Sequence, residues 1–598
     1  MSYIPTKDSA HLMVPRGPLQ LQNDFHVIPL NLLSNPQSLA LIVDSDQISL
    51  GMSLRLAAVL AGFVSWIFLN RRTVRGDYAV IFFLATFPAL YFCFRRVIAN
   101  HAFFQTVKIA AIYFVSLTSS TLLYRLSPFH PLAAYPGPLV WRLSSMTLAA
   151  ISYRGHRHLV LEDLHRKYGK FVRIGPNALS INSPNAASVI YGAAHHMLKS
   201  ESYNKPGHIG GVSLFFKQDR NDHAKRKRIW ANAFTGSAVD NFFPPLERRT
   251  WQLTQCIENR TDGAGVVNLA ECICHWSYDF MGEMVFGGSN NLILLGTHEG
   301  WRPTGLHRRN IFWSHSIGQA PWLMDILWYI PGSESIHRLR HVAASMMRKR
   351  VQAKGVKIRD LSSYLIEGDP RSGEQISMSD LEVDAVIAIQ GGSDNTGITL
   401  ALAIYFILSH LPAYHTLQAD LDNVFPDATA PLDKRKLAAV PFLDAVINET
   451  LRLGSPFFLP RIIPKGGVVI DGKFIPGGSV VALSAYSQQV SQENFFPDPL
   501  AYRPERWMPG GLGTGSILNK AALVSFSSGP YVCIGKSFAI QEMRLCLARL
   551  VLTFDMTLPP SFDSKLFYKG LRNMRTTILD KPLLVKAVRR EGKMPVDL

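Results

Sequence analysis

Apolar residues run without a charge from Tyr78 to Phe94 and again from Ile109 to Tyr124; a third run, Ile48 to Leu69, is broken only by Arg55. Each run approaches the roughly 20 residues that cross a bilayer, and flanking residues extend it. Arg71, Arg72, Arg75, Arg95 and Arg96 stand at the junctions, as at membrane ends. The pattern predicts a membrane anchor over residues 48–124 with two or three transmembrane helices; a buried helical hairpin is the alternative. Residues 1–47 are mixed and polar, unlike a cleaved signal peptide. Pro128, Pro131, Pro136 and Pro138 follow in "SPFHPLAAYPGPL". Proline fixes φ and disfavours helix in the residue before it, which predicts a stiff, extended hinge over residues 125–150.

From residue 151 to 598 the pattern is that of one folded domain. "HLVLEDLHRKYG" has helical spacing, and "KFVRIGPNALSIN" alternates around Gly175–Pro176 as a two-stranded hairpin. The stretch from Ser377 to Pro412 is the most apolar helix outside the anchor, with Asp380 as its expected N-cap and Pro412 as its stop. "VPFLDAVINETLRL" is a further helix, opened by Pro441. "GGVVIDGKFIPGGSVVAL" reads as short antiparallel strands. The expected fold class is mainly α with minor antiparallel β-sheets, preceded by N-terminal transmembrane helices.

Composition adds a sizeable core, with 47% hydrophobic residues, and a formal charge of +18. That charge favours acidic partners without choosing between lipid, protein and nucleic acid. Six scattered cysteines exclude a disulfide framework and fit a reducing compartment.

One cysteine stands apart. In "SFSSGPYVCIGKSFA", Cys533 lies between glycines just before an amphipathic helix. A helix N-terminus favours an anion and lowers a thiol's pKa. Gly529 suits a sharp turn, Gly535 a close approach to something flat, and Phe526 a shield from water. These are the needs of a thiolate bound to a metal in an apolar pocket. An inert buried cysteine is the alternative.

Phe526-x-x-Gly529-x-x-x-Cys533-x-Gly535 resembles the haem-binding loop of the cytochrome P-450 monooxygenases. Glu449-Thr-Leu-Arg452 matches the family's E-x-x-R, and "YRPERW" supplies Arg506, which in the family completes a triad with that pair. Gly391-Gly-Ser-Asp-Asn-Thr396 matches the helical segment over the haem where an acid and an alcohol deliver protons. Asp394 fits the acid; Asn395 replaces the usual threonine, with Thr396 one step on. An amide can hold a water but cannot relay a proton as a hydroxyl does. His223-x-x-x-Lys227 and Arg461 resemble contacts to the haem propionates. Tyr531 stands where an arginine or histidine is usual and brings no charge. Lys225, Arg226, Lys227 and Arg228 also read as a face for an acidic electron donor. Ile389, Gln390, Phe457, Phe458 and Leu459 are expected in the substrate pocket, with the 199–217 loop.

The resemblance implies the cytochrome P-450 fold and a membrane-bound haem-thiolate monooxygenase. Haem b would be held with Cys533 as axial ligand. Electrons would come from NADPH through a separate cytochrome P-450 reductase, with cytochrome b5 as a second donor. Dioxygen and an apolar small molecule, such as a terpenoid in secondary metabolism, would be the substrates. The endoplasmic reticulum membrane is the implied location, with the catalytic domain facing the cytosol and no nucleic acid involved. Two other classes remain open on these residues: a haem-thiolate isomerase or dehydratase, and a non-catalytic haem-binding membrane protein. "CICH" at Cys272 is one residue short of a covalent haem-attachment motif, and "GGLGTGS" at Gly510 lacks the strand and helix of a phosphate cradle.

Overall fold

A computed structural model describes residues 36–72, 74–97, 101–203, 211–288, 291, 294, 318–329, 334–353, 359–454, 457–573 and 577–591. Most of the polar 1–47 segment, part of the 199–217 loop, and Ser455 and Pro456 lie outside them. The chain divides into two units, residues 1–68 with 90–118, and residues 69–89 with 119–598.

In the N-terminal region the apolar runs form α1 (Pro36–Arg71), α2 (Gly76–Val97) and α3 (Ala102–Leu126). Three described stretches are long and apolar enough to cross a membrane: Gly51–Asn70, Gly76–Val97 and Ala102–Leu126. Arg55 does not interrupt the first. Within the first unit α1 and α3 meet at Gly62, where a Cβ would stand 2.6 Å from the Tyr113 carbonyl oxygen. Ser116 Oγ donates to the Val59 carbonyl (2.7 Å) and Tyr113 Oη to Ser65 Oγ (3.0 Å). Close backbone approach at a small residue, with hydroxyls satisfied across helices, is how apolar helices associate where water gives no hydrophobic drive. Leu60, Phe63, Val64, Phe82, Leu84, Phe104 and Val115 are exposed, as lipid-facing side chains are.

The second unit is mainly helical. The helices that frame the site are α4 (Arg220–Ala231), α5 (Leu269–Phe286), α6 (Pro321–Leu327), α7 (Met378–Ser409), α8 (Pro441–Gly454) and α9 (Lys536–Thr553). Both faces of α7 are buried, because α5, α8 and α9 supply one continuous apolar core around it. The N-cap of α7 is Ser377, whose hydroxyl accepts from the Asp380 N–H (3.3 Å). Asp380 instead lies in the first turn, with its carboxylate on Arg226. Pro412 does not end α7 but opens the next helix, Leu411–Val424, after α7 stops at Ser409.

The main sheet has the order β1 (Phe171–Gly175), β2 (Ala178–Ile181), β7 (Val480–Leu483), β4 (Arg461–Ile462), β3 (Leu198–Lys199). A separate hairpin joins β5 (Val468–Ile470) to β6 (Lys473–Ile475). The small sheets are antiparallel except at β2–β7, which pair in parallel from Ala178↔Val480 to Ile181↔Leu483. Nearly three hundred residues of chain bring β7 back beside β2, a pairing no local pattern encodes. The proline segment also differs from an extended strap. It packs in turns and two short helices, Leu139–Leu143 and Met146–Tyr153, with Leu132 and Tyr135 buried. Tyr135 Oη donates to the Phe474 carbonyl (2.7 Å), so its prolines shape turns against the sheet.

Candidate active site

The loop before α9 folds back on itself, with the Cys533 N–H donating to the Phe526 carbonyl (2.9 Å). Gly529 takes φ +61°, and a Cβ there would stand 2.3 Å from the Tyr191 carbonyl oxygen; only glycine fits that turn. Cys533, Phe526 and Gly535 line a cavity of about 420 Å³ that extends between α4, α5, α7 and α9. The helix N-terminus does not win at Cys533. Cys533 is exposed to the cavity, yet the protein packed around it raises the thiol's pKa by desolvation, while the Gly535 and Lys536 N–H groups and the Lys227 and Lys536 ammoniums pull it back. A sulfur that is costly to ionise alone, yet ringed by donors and cations, is suited to a metal partner.

Behind the loop, Glu449 and Arg452 on α8 are fully buried and paired through Nε (2.8 Å) and Nη2 (2.6 Å). Arg506 Nε stands 3.7 Å from the same carboxylate, and its Nη2 donates to the Pro497 and Asp498 carbonyls (3.0 and 3.1 Å). Two further donors are not visible as a motif: the Arg503 N–H (3.0 Å) and Trp507 Nε1 (2.9 Å). Arg452 also reaches the Gln489 and Ala501 carbonyls (2.6 and 3.1 Å). A buried charge pair is tolerable when its remaining hydrogen bonds are satisfied; "YRPERW" supplies two of Glu449's donors, while among the described residues Arg506 Nε and Nη1 have no hydrogen-bond partner.

One end of the cavity is cationic. Arg461 and Lys199 face each other across the β3–β4 ladder, and both flank the Tyr531 ring, at 4.9 and 4.8 Å. Like charges opposite each other in a ladder repel. Among the described residues, the buried Arg461 Nε has no hydrogen-bond partner. Among the described residues, the acids lining the cavity are Asp394 and Glu542, on α7 and α9. His223 packs edge-on against Tyr531 (4.7 Å). Burial, followed by Lys199, Lys227 and Arg461, pushes its pKa down to about 3, so it brings a neutral ring and not a charge. These groups suit an anionic edge of a flat ligand. Lys199 was expected in the pocket as part of the 199–217 loop, but its place opposite Arg461 was not, because no motif marks a two-residue strand.

The four cations of α4 differ in their surroundings, Arg226 being buried while Lys225 and Arg228 stay about half exposed. Arg226 is buried and pairs with Asp384 (2.6 Å) and Asp380 on α7, Lys225 with Glu374 (3.8 Å), and Arg228 with Asp369 (3.2 Å). Lys227 donates to the Pro530 and Val532 carbonyls (2.8 and 3.3 Å). It therefore ties down the cysteine loop itself. Arg226 and Lys227 are thus internal ties, while Lys225 and Arg228 make surface pairs with carboxylates that the chain after Glu367 brings to them.

On the opposite wall, α7 is unbroken through Gly391 and Gly392. Gly391 is open to the cavity, whereas a Cβ at Gly392 would meet Met281 Sδ at 2.5 Å. Tyr278 Oη on α5 donates to Asp394 Oδ1 (3.0 Å). Asn395 Nδ2 is spent on the Gly391 carbonyl (3.0 Å) within its own helix. Thr396 is buried and faces Glu542 on α9, whose pKa is pushed up to about 8 by burial, with the Thr396 hydroxyl opposing the shift. Glu542 is thus a neutral acid at neutral pH, another residue no motif flagged here. Of the expected pocket residues, Gln390, Phe457 and Leu459 line the cavity, with Phe215, Met324 and Trp328 beside them. Ile389 and Phe458 do not. Ile389 turns into the core of α7, and Phe458 lies under the Arg157 guanidinium (4.4 Å). The two phenylalanines lie in irregular chain before β4, and only the first faces the cavity.

A mainly helical body, a cysteine on a glycine loop at a helix start, and a buried E-x-x-R/Arg network together define a haem-thiolate protein. The Cytochrome P450 family model matches residues 134–584, and the chain belongs to that family. Its curated relatives include tryprostatin B 6-hydroxylase of Aspergillus fumigatus, 31% identical over 76% of this chain and 80% of that protein. Cytochrome P450 monooxygenase notG' of Aspergillus versicolor is 32% identical over 76% and 82%. Cytochrome P450 monooxygenase orf5 of Eupenicillium brefeldianum is 29% identical over 81% and 96%. The protein is a monooxygenase-class oxidoreductase that uses haem with a cysteine thiolate on iron, a redox partner, dioxygen and an organic substrate.

Proposed function

We propose that this protein hydroxylates an apolar small molecule of secondary metabolism, a terpenoid or other metabolite, while anchored in the endoplasmic reticulum membrane. The observation that carries the site assignment is Cys533, whose loop opens into an apolar cavity with a cationic edge on one side and a proton-bearing helix on the other. Cys533 would hold the haem iron through its thiolate. Lys199 and Arg461 would hold the propionates, with the Tyr531 hydroxyl and His223 giving neutral hydrogen bonds. Glu449, Arg452 and Arg506 keep the loop in register. Haem held here supplies the activation of dioxygen, with the thiolate donating electron density.

The chain's own residues manage protons and water. Asp394, held by Tyr278, is the entry acid. Thr396 and the neutral Glu542 carry a hydroxyl and a carboxyl proton beside it. Asn395 fixes a water through its amide oxygen, its N–H being engaged by Gly391. Gln390, Phe457, Leu459, Met324 and Trp328 hold the substrate and exclude solvent. The hydroxylase name of one relative supports hydroxylation.

An NADPH-dependent cytochrome P-450 reductase is the proposed donor, with cytochrome b5 as a second. Three apolar helices and six unpaired cysteines support a membrane anchor on a domain in the reducing cytosol. Residues 48–124 act as the anchor, 125–150 as the hinge and 151–598 as the catalytic domain. The carbon monoxide difference spectrum of the reduced protein in membranes is the test. A strongly red-shifted band lost in Cys533→Ala is expected; a band that survives in the variant refutes the assignment of Cys533.

A further inference from the structure

The second apolar helix begins on the wall of the cavity. The Gly76 N–H, the first of α2, donates to Asp325 Oδ2 (3.1 Å) on α6. A Cβ at Gly76 would stand 1.9 Å from the Trp322 carbonyl oxygen and 3.1 Å from Ile326 Cγ1, so the two backbones touch. The next residue, Asp77, is 7% exposed and bound by Arg75 through Nε (3.1 Å) and Nη2 (2.6 Å). The first turn of a helix has N–H groups without intrahelical partners. Here one of them takes a carboxylate from 249 residues away. The other side of the same segment faces the cavity: Met324 and Trp328 line it, and Trp328 packs on Val383 of α7.

We propose that α2 is part of the ligand-binding apparatus. Asp325 and Gly76 are positioning residues that hold α6 and thereby set the Met324–Trp328 wall. A helix of seven residues is too short to be stable by itself, and α2 supplies a fixed support on the side away from the cavity. The anchor then sets how large an apolar ligand the cavity admits, beyond attaching the enzyme to the membrane.

The spectral readout rests on the haem reading above, so the test separates the two. Full-length protein in lipid nanodiscs is titrated with imidazole, which needs only the iron, and with clotrimazole, which must also fill the cavity. Gly76→Ala and Asp325→Ala are expected to weaken clotrimazole about tenfold, the scale of one lost hydrogen bond to a charged group. Imidazole should change less than about twofold. Asp325→Asn, which keeps an acceptor for the Gly76 N–H, restores clotrimazole binding. Equal affinities in all proteins, or equal losses for both probes, overturn the proposal. Hydrogen exchange of residues 318–329 is followed in the same samples. If the parent protein shows no imidazole shift, the haem reading fails. Protection lost in Gly76→Ala then upholds the junction, and unchanged protection overturns it.

Discussion

Removing Glu449 should cost more stability than almost any other single change in the protein. Its carboxylate is fully buried and accepts from four donors: two on Arg452, the Arg503 N–H and Trp507 Nε1. It also faces Arg506 at 3.7 Å. In Glu449→Ala two buried guanidiniums lose their counter-charge, and breaking a buried ion pair on one side costs about 3–5 kcal/mol. Domains are stable by only about 5–15 kcal/mol, so the folded-to-unfolded ratio should fall about 10³-fold. Glu449→Gln keeps one oxygen acceptor and should cost about half as much. The assay is urea titration of detergent-solubilised protein, followed by the carbon monoxide difference band and by far-ultraviolet circular dichroism. The double variant Glu449→Leu/Arg452→Leu should cost less than the sum of the two single changes, because neither partner is left charged and alone. A loss under about 1 kcal/mol in Glu449→Ala, or strict additivity in the cycle, refutes the reasoning.

Three other outcomes follow from the site. Asn395→Thr should tighten the coupling of NADPH use to product; unchanged coupling and peroxide leakage would mean that Thr396 and Glu542 already suffice. Glu542 titrates at about 8 in the fold, above its unfolded value of about 4.3. Its contribution is therefore fully present below about pH 4 and lost as pH rises to about 8, on the order of 5 kcal/mol. Melting curves at about pH 5 and about pH 8.5 should show that fall in the parent and a smaller one in Glu542→Gln; equal slopes would remove Glu542 as a buried neutral acid. Lys199→Gln should speed haem transfer to an apoprotein acceptor several-fold. Adding Tyr531→Arg to that variant should restore retention, and no restoration would show that Lys199 does not fill the missing arginine's place.

Much of this protein was legible in order along the chain. The apolar runs of the anchor, the long buried α7, the hairpin at Gly175–Pro176 and the loop around Cys533 are local patterns, set by residues within one or two turns of each other. Chemistry at a short spacing survives as a motif, which is why Glu449, Arg452, Arg506 and Cys533 could be named together. What the sequence could not rank was direction. Ile389 and Phe457 are apolar residues near the site, as Gln390 and Phe458 are near it, yet only Phe457 and Gln390 face the cavity.

The remaining decisions belong to the tertiary structure, because each depends on a partner far along the chain. Arg226 reads as one more surface cation of α4 until Asp380 and Asp384 are brought against it and bury it. The Cys533 thiol reads as acidified by a helix end until desolvation by the protein packed around it outweighs the helix. Lys199 acquires meaning only across the ladder from Arg461, and Glu542 only beneath Thr396. Pattern and spacing determine which elements form and which groups can do chemistry. Burial and counter-charge, which set the state of those groups, are properties of the packed chain alone.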